Sequence, residues 1–383
     1  MLRLYSFVLA LHAYIGWRLV PDMPFGRWGI VLMILWLAIS TCLLPLGFYA
    51  RQIKQQPLSD RVAWAGMFAM GVFSSLFVLT VLRDVGLLLG FALNRFFGND
   101  DIMRQVQVWS AGTVPLIAAL FTLIGFLNAR RRAKVQMVEI PIAGLPASLH
   151  GFTIAQISDI HIGPTIKRDY LDPIVDAVNE LKADMIAVTG DLVDGSVEQL
   201  SHHTEPLARL SARHGVYFVT GNHEYYSGVT AWVNELRRLG LRVLMNEHEV
   251  LKHQDATVVV AGVTDCSAHH FNDAHRSDPV AAIASAPADA GLKLLLAHQP
   301  RSAFAAARAG YHLQISGHTH GGQFFPWNLF VRFQQPFTAG LHRLEALWVY
   351  TSRGTGYWGP PKRVGAPSEI TYIRVVSQTK SID

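Results

Sequence analysis

Cysteine is nearly absent from this 383-residue chain: only Cys42 and Cys266 occur, with no Cys-x-x-Cys and no Cys–His metal spacing. That excludes a disulfide framework and a thiolate-held zinc or iron–sulfur centre, and two unpaired thiols agree with a reducing compartment. Charge is scarce as well. Lys, Arg, Asp and Glu make up 16% of the residues, against roughly 25% in a typical soluble domain. The shortage is local. Residues 1–128 hold nine basic and five acidic side chains, whereas the rest of the chain holds 24 and 23. The basic excess of the first third flanks apolar runs, which points to a bilayer and not to nucleic acid. Neither an internal repeat nor a low-complexity tract is present.

What replaces charge in the first third is length of apolar sequence. A hydrocarbon layer about 30 Å thick needs roughly 20 apolar residues in a helix. Residues 28–49, 62–82 and 109–127 meet that length without one charged side chain. Residues 2–20 form a weaker fourth candidate, with Arg3, His12 and Arg18 inside it. This segment reads as a retained helix, with a cleaved signal peptide as the minor alternative. Residues 85–93 are too short to span and extend the third helix or lie at the interface. Trp17, Trp28, Trp64 and Trp109 fall near segment ends, where amphipathic rings favour the interface. Arg51, Lys54 and Arg61 in one connection, and Arg130 to Arg132 with Lys134 after the last segment, put these loops and everything beyond them on the cytoplasmic side. The expected division is a transmembrane region of about four helices over 1–134 and a soluble domain over 135–383. In a bacterium this means the inner membrane.

Beyond Lys134 the pattern changes to short β-rich runs alternating with amphipathic stretches. Thr153–Ile157, Met185–Val188, Val216–Val219, Val258–Ala261, Leu294–Ala297 and Leu313–Ile315 read as strands. Leu171–Lys182 and Thr230–Leu239 read as helices, the second ending at Gly240. Most of these strands run directly into polar clusters: Ser158-Asp159-Ile160-His161, Thr189-Gly190-Asp191 with Asp194 three residues on, Thr220-Gly221-Asn222-His223-Glu224, His298, and Ser316-Gly317-His318-Thr319-His320. Sites in open α/β sheets form beyond the carboxyl ends of strands, so several ends can deliver side chains to one rim. Each short motif alone is weak. The ordered set of imidazoles, carboxylates and one amide is not, and it suits Mn, Fe or Zn better than Ca or Mg.

On these motifs, over roughly Gly151 to Gly322, the chain resembles the calcineurin-like metallophosphoesterases. The resemblance implies a four-layer α/β sandwich, two central sheets flanked by helices, that carries two divalent metals. It implies that Asp159, His161 and His320 bind one metal and that Asn222, His298 and His318 bind the other. Asp191 would bridge them, with His223 as the catalytic histidine and Asp194 as its orienting partner. The charge is coherent with that set. Two dications less Asp159, Asp191 and a bridging hydroxide leave about +1, enough to attract a phosphate ester.

The expected activity is therefore hydrolysis of a phosphodiester, pyrophosphate or phosphomonoester by a metal-bridging hydroxide. The substrate would be lipid-linked or nucleotide-linked, since a tether concentrates an enzyme on membrane-held molecules. Membrane-attached relatives suggest UDP-2,3-diacylglucosamine of lipid A synthesis as a specific alternative. A membrane sensor or scaffold on the same fold is the non-enzyme alternative, disfavoured because no ligand position is substituted. Transport is disfavoured because no charge pair sits centrally in the apolar segments. His202-His203 and His269-His270 read as solvated, Gly321-Gly322 as a close approach or a simple turn, and Arg353 as a phosphate contact or a salt bridge. Oligomeric state stays open at this level.

Overall fold

The computed structural model describes residues 2–378 and divides them into two compact units. One comprises the chain up to Arg130 together with Gly359–Val364, and the other comprises Arg131–Trp358 and the chain from Gly365 on.

The first unit is all helical. Helices α1 (Leu2–Leu19), α2 (Gly26–Tyr49), α3 (Leu58–Phe97) and α4 (Asp100–Arg130) follow one another through short connections. Three of them, α2, α3 and α4, are long and apolar enough to cross a bilayer. Helix α1 forms where expected but, at 18 residues with Arg18 in its last turn, it falls short of the other three. Helix α3 does not stop at Leu82: its 40 residues absorb the 85–93 segment. At 1.5 Å per residue it is about 60 Å long, twice the hydrocarbon thickness. It can continue through Arg83 and Asp84 because both are paired with polar groups within the unit. The Arg83 guanidinium donates to Asp22 at 2.7 Å, to the Arg18 carbonyl at 3.0 Å and to the Ser110 hydroxyl at 2.9 Å. Asp84 accepts from Tyr14 at 2.6 Å and from Arg18 at 2.8 Å. These charges gather at one end of the apolar 62–82 stretch and leave its middle free. Helices α2 and α3 cross where Gly47 meets Gly66: a Cβ on either would lie within 2.8 Å of the other's Cα. Such contact between backbones is how apolar helices associate without a hydrophobic driving force. Gly359–Val364 joins this unit through the Arg363 amide on the Gly125 carbonyl (2.9 Å) and the Lys362 ammonium on the Gly71 carbonyl (3.1 Å) and the Ser75 hydroxyl.

The second unit is built on two mixed six-stranded sheets flanked by helices. The first runs, in spatial order, β1 (Lys134–Ile142), β12 (Glu369–Ser377), β2 (Thr153–Ile157), β3 (Met185–Val188), β4 (Val216–Phe218) and β5 (Arg242–Val243). The second runs β10 (Gly340–Leu344), β11 (Leu347–Thr351), β9 (Leu313–Ser316), β8 (Leu292–Leu296), β7 (Ala256–Gly262) and β6 (Glu247–His253). Strands β2 to β5 are parallel, as are β7, β8, β9 and β11, so both sheets present carboxyl ends in series. Ile154, Met185, Ala187 and Tyr217 of the first sheet pack against Val258, Val260, Leu294 and Ile315 of the second in one buried core. Helices α5 (Arg168–Glu180), α6 (Val197–Thr204) and α8 (Val229–Arg238) lie after the strands of the first sheet. Helix α5 buries Leu171, Ile174, Val175 and Val178, the expected stripe, and α8 buries Trp232, Val233 and Leu236. A short α7 (Asn222–Tyr226) opens directly beyond β4. Beyond β8, α9 (Ala303–Arg308) packs Ala303 and Ala306 against Leu295 and Val349. A further short helix, α10 (Trp327–Val331), follows β9.

Candidate metal centre

Every expected site residue sits immediately beyond a strand or at the start of a helix that follows one. Asp159 and His161 follow β2, Asp191 and Asp194 follow β3, and Asn222 and His223 open α7 after β4. His298 follows β8, and His318 and His320 follow β9. The backbone there is unusual. Asp159, His161, Asp191, His318 and His320 all have positive φ, between 50° and 72°, half of the ten non-glycine residues with positive φ among those described. The left-handed conformation costs an L-residue of order 1–3 kcal/mol and persists only where the surroundings over-determine it. Five such residues at the ends of three strands turn five ligand-type side chains toward one spot.

Two groups result. In the first, His161 Nε2 lies 3.0 Å from His320 Nε2, which lies 3.5 Å from Asp159 Oδ1. In the second, His298 Nε2 lies 3.1 Å from Asp191 Oδ2 and 3.1 Å from His318 Nδ1. Asp191 Oδ2 also stands 4.0 Å from His161 Nε2, so a single carboxylate oxygen lies between the groups. Each group offers ligand atoms all within 4.8 Å of one another and can hold a divalent ion. Asn222 contributes a further sign. Its Oδ1 is buried yet accepts no hydrogen bond among the described residues, and an orphaned acceptor beside such groups calls for a cation or water. The set fits two transition-metal ions: imidazole, carboxylate and amide donors, without thiolate.

The surroundings hold these groups in place. The His298 Nδ1–H donates to the Thr189 carbonyl at 2.7 Å, which fixes the ring with Nε2 turned toward Asp191. The His318 amide donates to both oxygens of Asp159 at 3.0 and 3.1 Å, and the His223 amide donates to Asp191 Oδ1 at 2.9 Å. Two glycines permit this crowding. A Cβ at Gly317 would fall 2.2 Å from Asp159 Oδ2, and one at Gly221 would fall 2.2 Å from Asp191 Oδ1.

Burial opposes charge at all of these groups, and the neighbours decide the outcome. At Asp191 burial raises the pKa, but His298 first, then His223 and His161, hold it well below the usual carboxylate range. Burial raises Asp159, with His298 opposing and Asp191 adding to the rise. Burial and the charge of His298 lower His318 to about 4, which leaves its imidazole neutral and able to ligate. His223 is the opposite case. Burial lowers it, but Asp191 and a hydrogen bond from its Nδ1 to Asp194 lift it to about 9. Asp194 is held low by both His161 and His223, and its Oδ2 lies 3.3 Å from His161 Nδ1. It therefore touches one candidate ligand as well as the histidine it was expected to orient.

One residue in the site escaped the sequence reading of roles. Glu224, fully buried, accepts the amides of Gly221 (2.6 Å), Asp191 (3.0 Å) and Leu192 (2.7 Å), and so ties the loop after β3 to the loop after β4. Burial and Asp191 push its pKa up to about 7. The only trace in the sequence is an acid directly after Asn222-His223. Arg353 resolves into a salt bridge, its Nη1 2.9 Å from Glu369. Gly321 and Gly322 have positive φ, and Asn328 of α10 occupies the space a Cβ on Gly322 would need, at 2.2 Å. A separate group, Asp184, His214 and His253, lies at the opposite ends of β3 and β4 and takes no part in this centre.

Residues 152–322 match the model of the calcineurin-like phosphoesterase family. A Danio rerio protein named "Transmembrane protein with metallophosphoesterase domain" is 33% identical over 378 residues, which is 97% of this chain and 85% of that protein. A Bos taurus protein of the same name is 37% identical over 308 residues, 77% of this chain and 69% of its own. An uncharacterized metallophosphoesterase of Campylobacter jejuni is 29% identical over 388 residues, covering 97% of this chain and 98% of that one.

Proposed function

We propose, for a chain that belongs to the calcineurin-like phosphoesterase family, that it is a membrane-anchored hydrolase of phosphodiester, pyrophosphate or phosphomonoester bonds. The observation that carries this reading is Asp191 Oδ2 standing between two clusters of ligand-type side chains. Asp159, His161 and His320 would hold one divalent ion and Asn222, His298 and His318 the other, with Asp191 shared; Mn, Fe and Zn all suit these donors. When bound, the two ions supply an activated water as the nucleophile and neutralise the phosphoryl oxygens. The protein's own groups do the rest. His223, held protonated by Asp191 and Asp194, gives its Nε2 proton to the leaving oxygen as the P–O bond breaks. Asp194 orients it through Nδ1 and steadies His161 at the same time. Glu224 keeps the two loops in register.

The first 134 residues serve as a multi-pass anchor and residues 135–383 as the catalytic domain, on the cytoplasmic side by the distribution of Arg and Lys. Such a tether favours an ester that is itself membrane-held, lipid-linked or nucleotide-linked, over one that diffuses freely. The test uses the full-length protein with Mn²⁺ and bis-p-nitrophenyl phosphate. The wild type hydrolyses it, Asp191→Ala reduces the rate to background, and His223→Ala lowers it by about 10²–10³-fold. Equal rates in all three would remove the enzyme assignment.

A further inference from the structure

An apolar side chain exposed to water is unremarkable singly, but a contiguous group beside a polar centre marks a binding surface. The candidate metal centre has such a group. On the His223 side, the rings of Tyr226 and Trp358 lie 5.3 and 6.0 Å from the imidazole, and Phe271 lies 5.7 Å from Tyr226. All three are more than half exposed. On the His320 side, Trp327, Phe330 and Phe333 form a row with ring separations of 6.0 and 6.5 Å, and Phe333 is 79% exposed. The two sides are joined. Gln323, three residues past His320, donates from its amide to the Trp358 carbonyl and accepts from the Trp358 N–H, each at 2.9 Å. Asn328 seats α10 on Gly322, two residues from His320.

We propose that this aromatic rim is a subsite for the hydrocarbon part of the substrate, so that the ester cleaved at the metal centre is an amphiphile whose alkyl or acyl chain lies across Trp358 and α10. The inference rests on the reading of the centre as a phosphoesterase. Three observations select this occupant. The phosphoryl end would be held by the metal-loaded centre, so whatever covers the rings of Tyr226 and Trp358, one contact away from His223, belongs to the same molecule. Trp and Phe, with Arg332 in the row, are the residue types that favour the zone between headgroups and chains. The same chain carries three helices long and apolar enough to cross a bilayer, which tethers the rim to a membrane.

The experiment compares butyl and dodecyl p-nitrophenyl phosphate as substrates of the full-length protein in one detergent, for the wild type and for Trp327→Ser/Phe330→Ser/Phe333→Ser. Each methylene buried on the rim is worth about fourfold in affinity. The wild type should therefore favour the dodecyl ester by tenfold or more in kcat/KM, and the triple variant should lose most of that ratio through KM. Partition into micelles affects both proteins alike and cancels in the comparison. Phe333→Ser alone, at a side chain already in solvent, should lower the ratio by two- to threefold and guards against a triple variant that misfolds. An unchanged ratio in both variants overturns the subsite. So does a triple variant that turns a dimer into a monomer in analytical ultracentrifugation at constant ratio, which would make the rim a contact between copies. A wild type that cleaves bis-p-nitrophenyl phosphate but neither alkyl ester also overturns the subsite, whereas one that cleaves none of the three brings down the phosphodiesterase reading of the centre, and this subsite with it.

Discussion

The two units are made from the same twenty residues under opposite rules. In the helical unit a bulk property, apolar length, does the work. Many positions facing outward are interchangeable: Leu88, Leu123 and Leu116 are all more than half exposed to whatever surrounds the helices. Identity counts only where backbones touch, as at Gly47 and Gly66, or where charge must be neutralised, as around Arg83. In the catalytic unit identity counts almost everywhere near the centre. Left-handed backbone at Asp159 and Asp191, amides aimed at carboxylates, and glycines whose Cβ would strike a carboxylate oxygen leave no neutral substitutions there. The lesson is that a membrane region can drift in sequence and keep its role, whereas the centre cannot.

That contrast can be broken from either side. The largest effect should come from His223→Ala, which removes the proposed proton donor and none of the proposed ligands. We expect kcat on bis-p-nitrophenyl phosphate to fall by about 10²–10³-fold while metal content stays at the wild-type level. A parallel loss of metal would make His223 a ligand. Next is Glu224→Ala, which orphans four buried amides, those of Gly221, Asp191, Leu192 and Val193. It should destabilise the folded domain by about 3 kcal/mol or more, read as a lowered urea midpoint. Glu224→Gln, which keeps one acceptor, should cost less, and an unchanged midpoint for both would show the loops are held by something else.

A smaller effect concerns pH in the metal-free protein. His223 is raised from 6.5 to about 9 in the fold. Its interaction with Asp191 and Asp194 therefore adds stability in full below pH 6.5 and loses it as pH rises through about 9. The thermal midpoint of wild type minus that of His223→Gln, in chelator, should be positive at pH 6 and shrink above pH 9. A gap that widens with pH would reverse the sign. Smallest of all, Leu88→Val with Leu123→Val in the helical unit should change activity by less than about twofold and stability by about 0.5 kcal/mol or less. A larger loss would mean these helices do more than anchor.

The same contrast explains what was legible in the sequence. Strands β2, β3, β8 and β9 are buried on both faces, so they stand out as short apolar runs ending at polar clusters, and the expected site residues follow from those ends. Strands at and near the sheet edges did not stand out. β1 and β6 mix exposed and buried positions, β10 has no fully buried one, and β5 is two residues long. Strand β12 lies between β1 and β2 although nearly the whole domain separates it from them in sequence, a placement that no local pattern encodes. Helix α3 was legible only to Leu82, because the partners that make Arg83 and Asp84 tolerable, Asp22, Arg18 and Tyr14, lie some sixty or more residues earlier. The weaker first segment shows the reverse: it is helical, yet its Arg18 serves the Asp84 cluster. Glu224 was invisible for a related reason. Its role is to accept backbone amides from a loop about thirty residues away, and backbone donors leave no mark on the sequence.

The most direct measurement is metal stoichiometry. Full-length protein dialysed against Mn²⁺ and analysed by mass spectrometry should hold two ions per chain, and Asp191→Ala should hold close to none, because both proposed sites share that carboxylate. One ion or none in the wild type, or two in Asp191→Ala, would contradict a centre organised around Asp191.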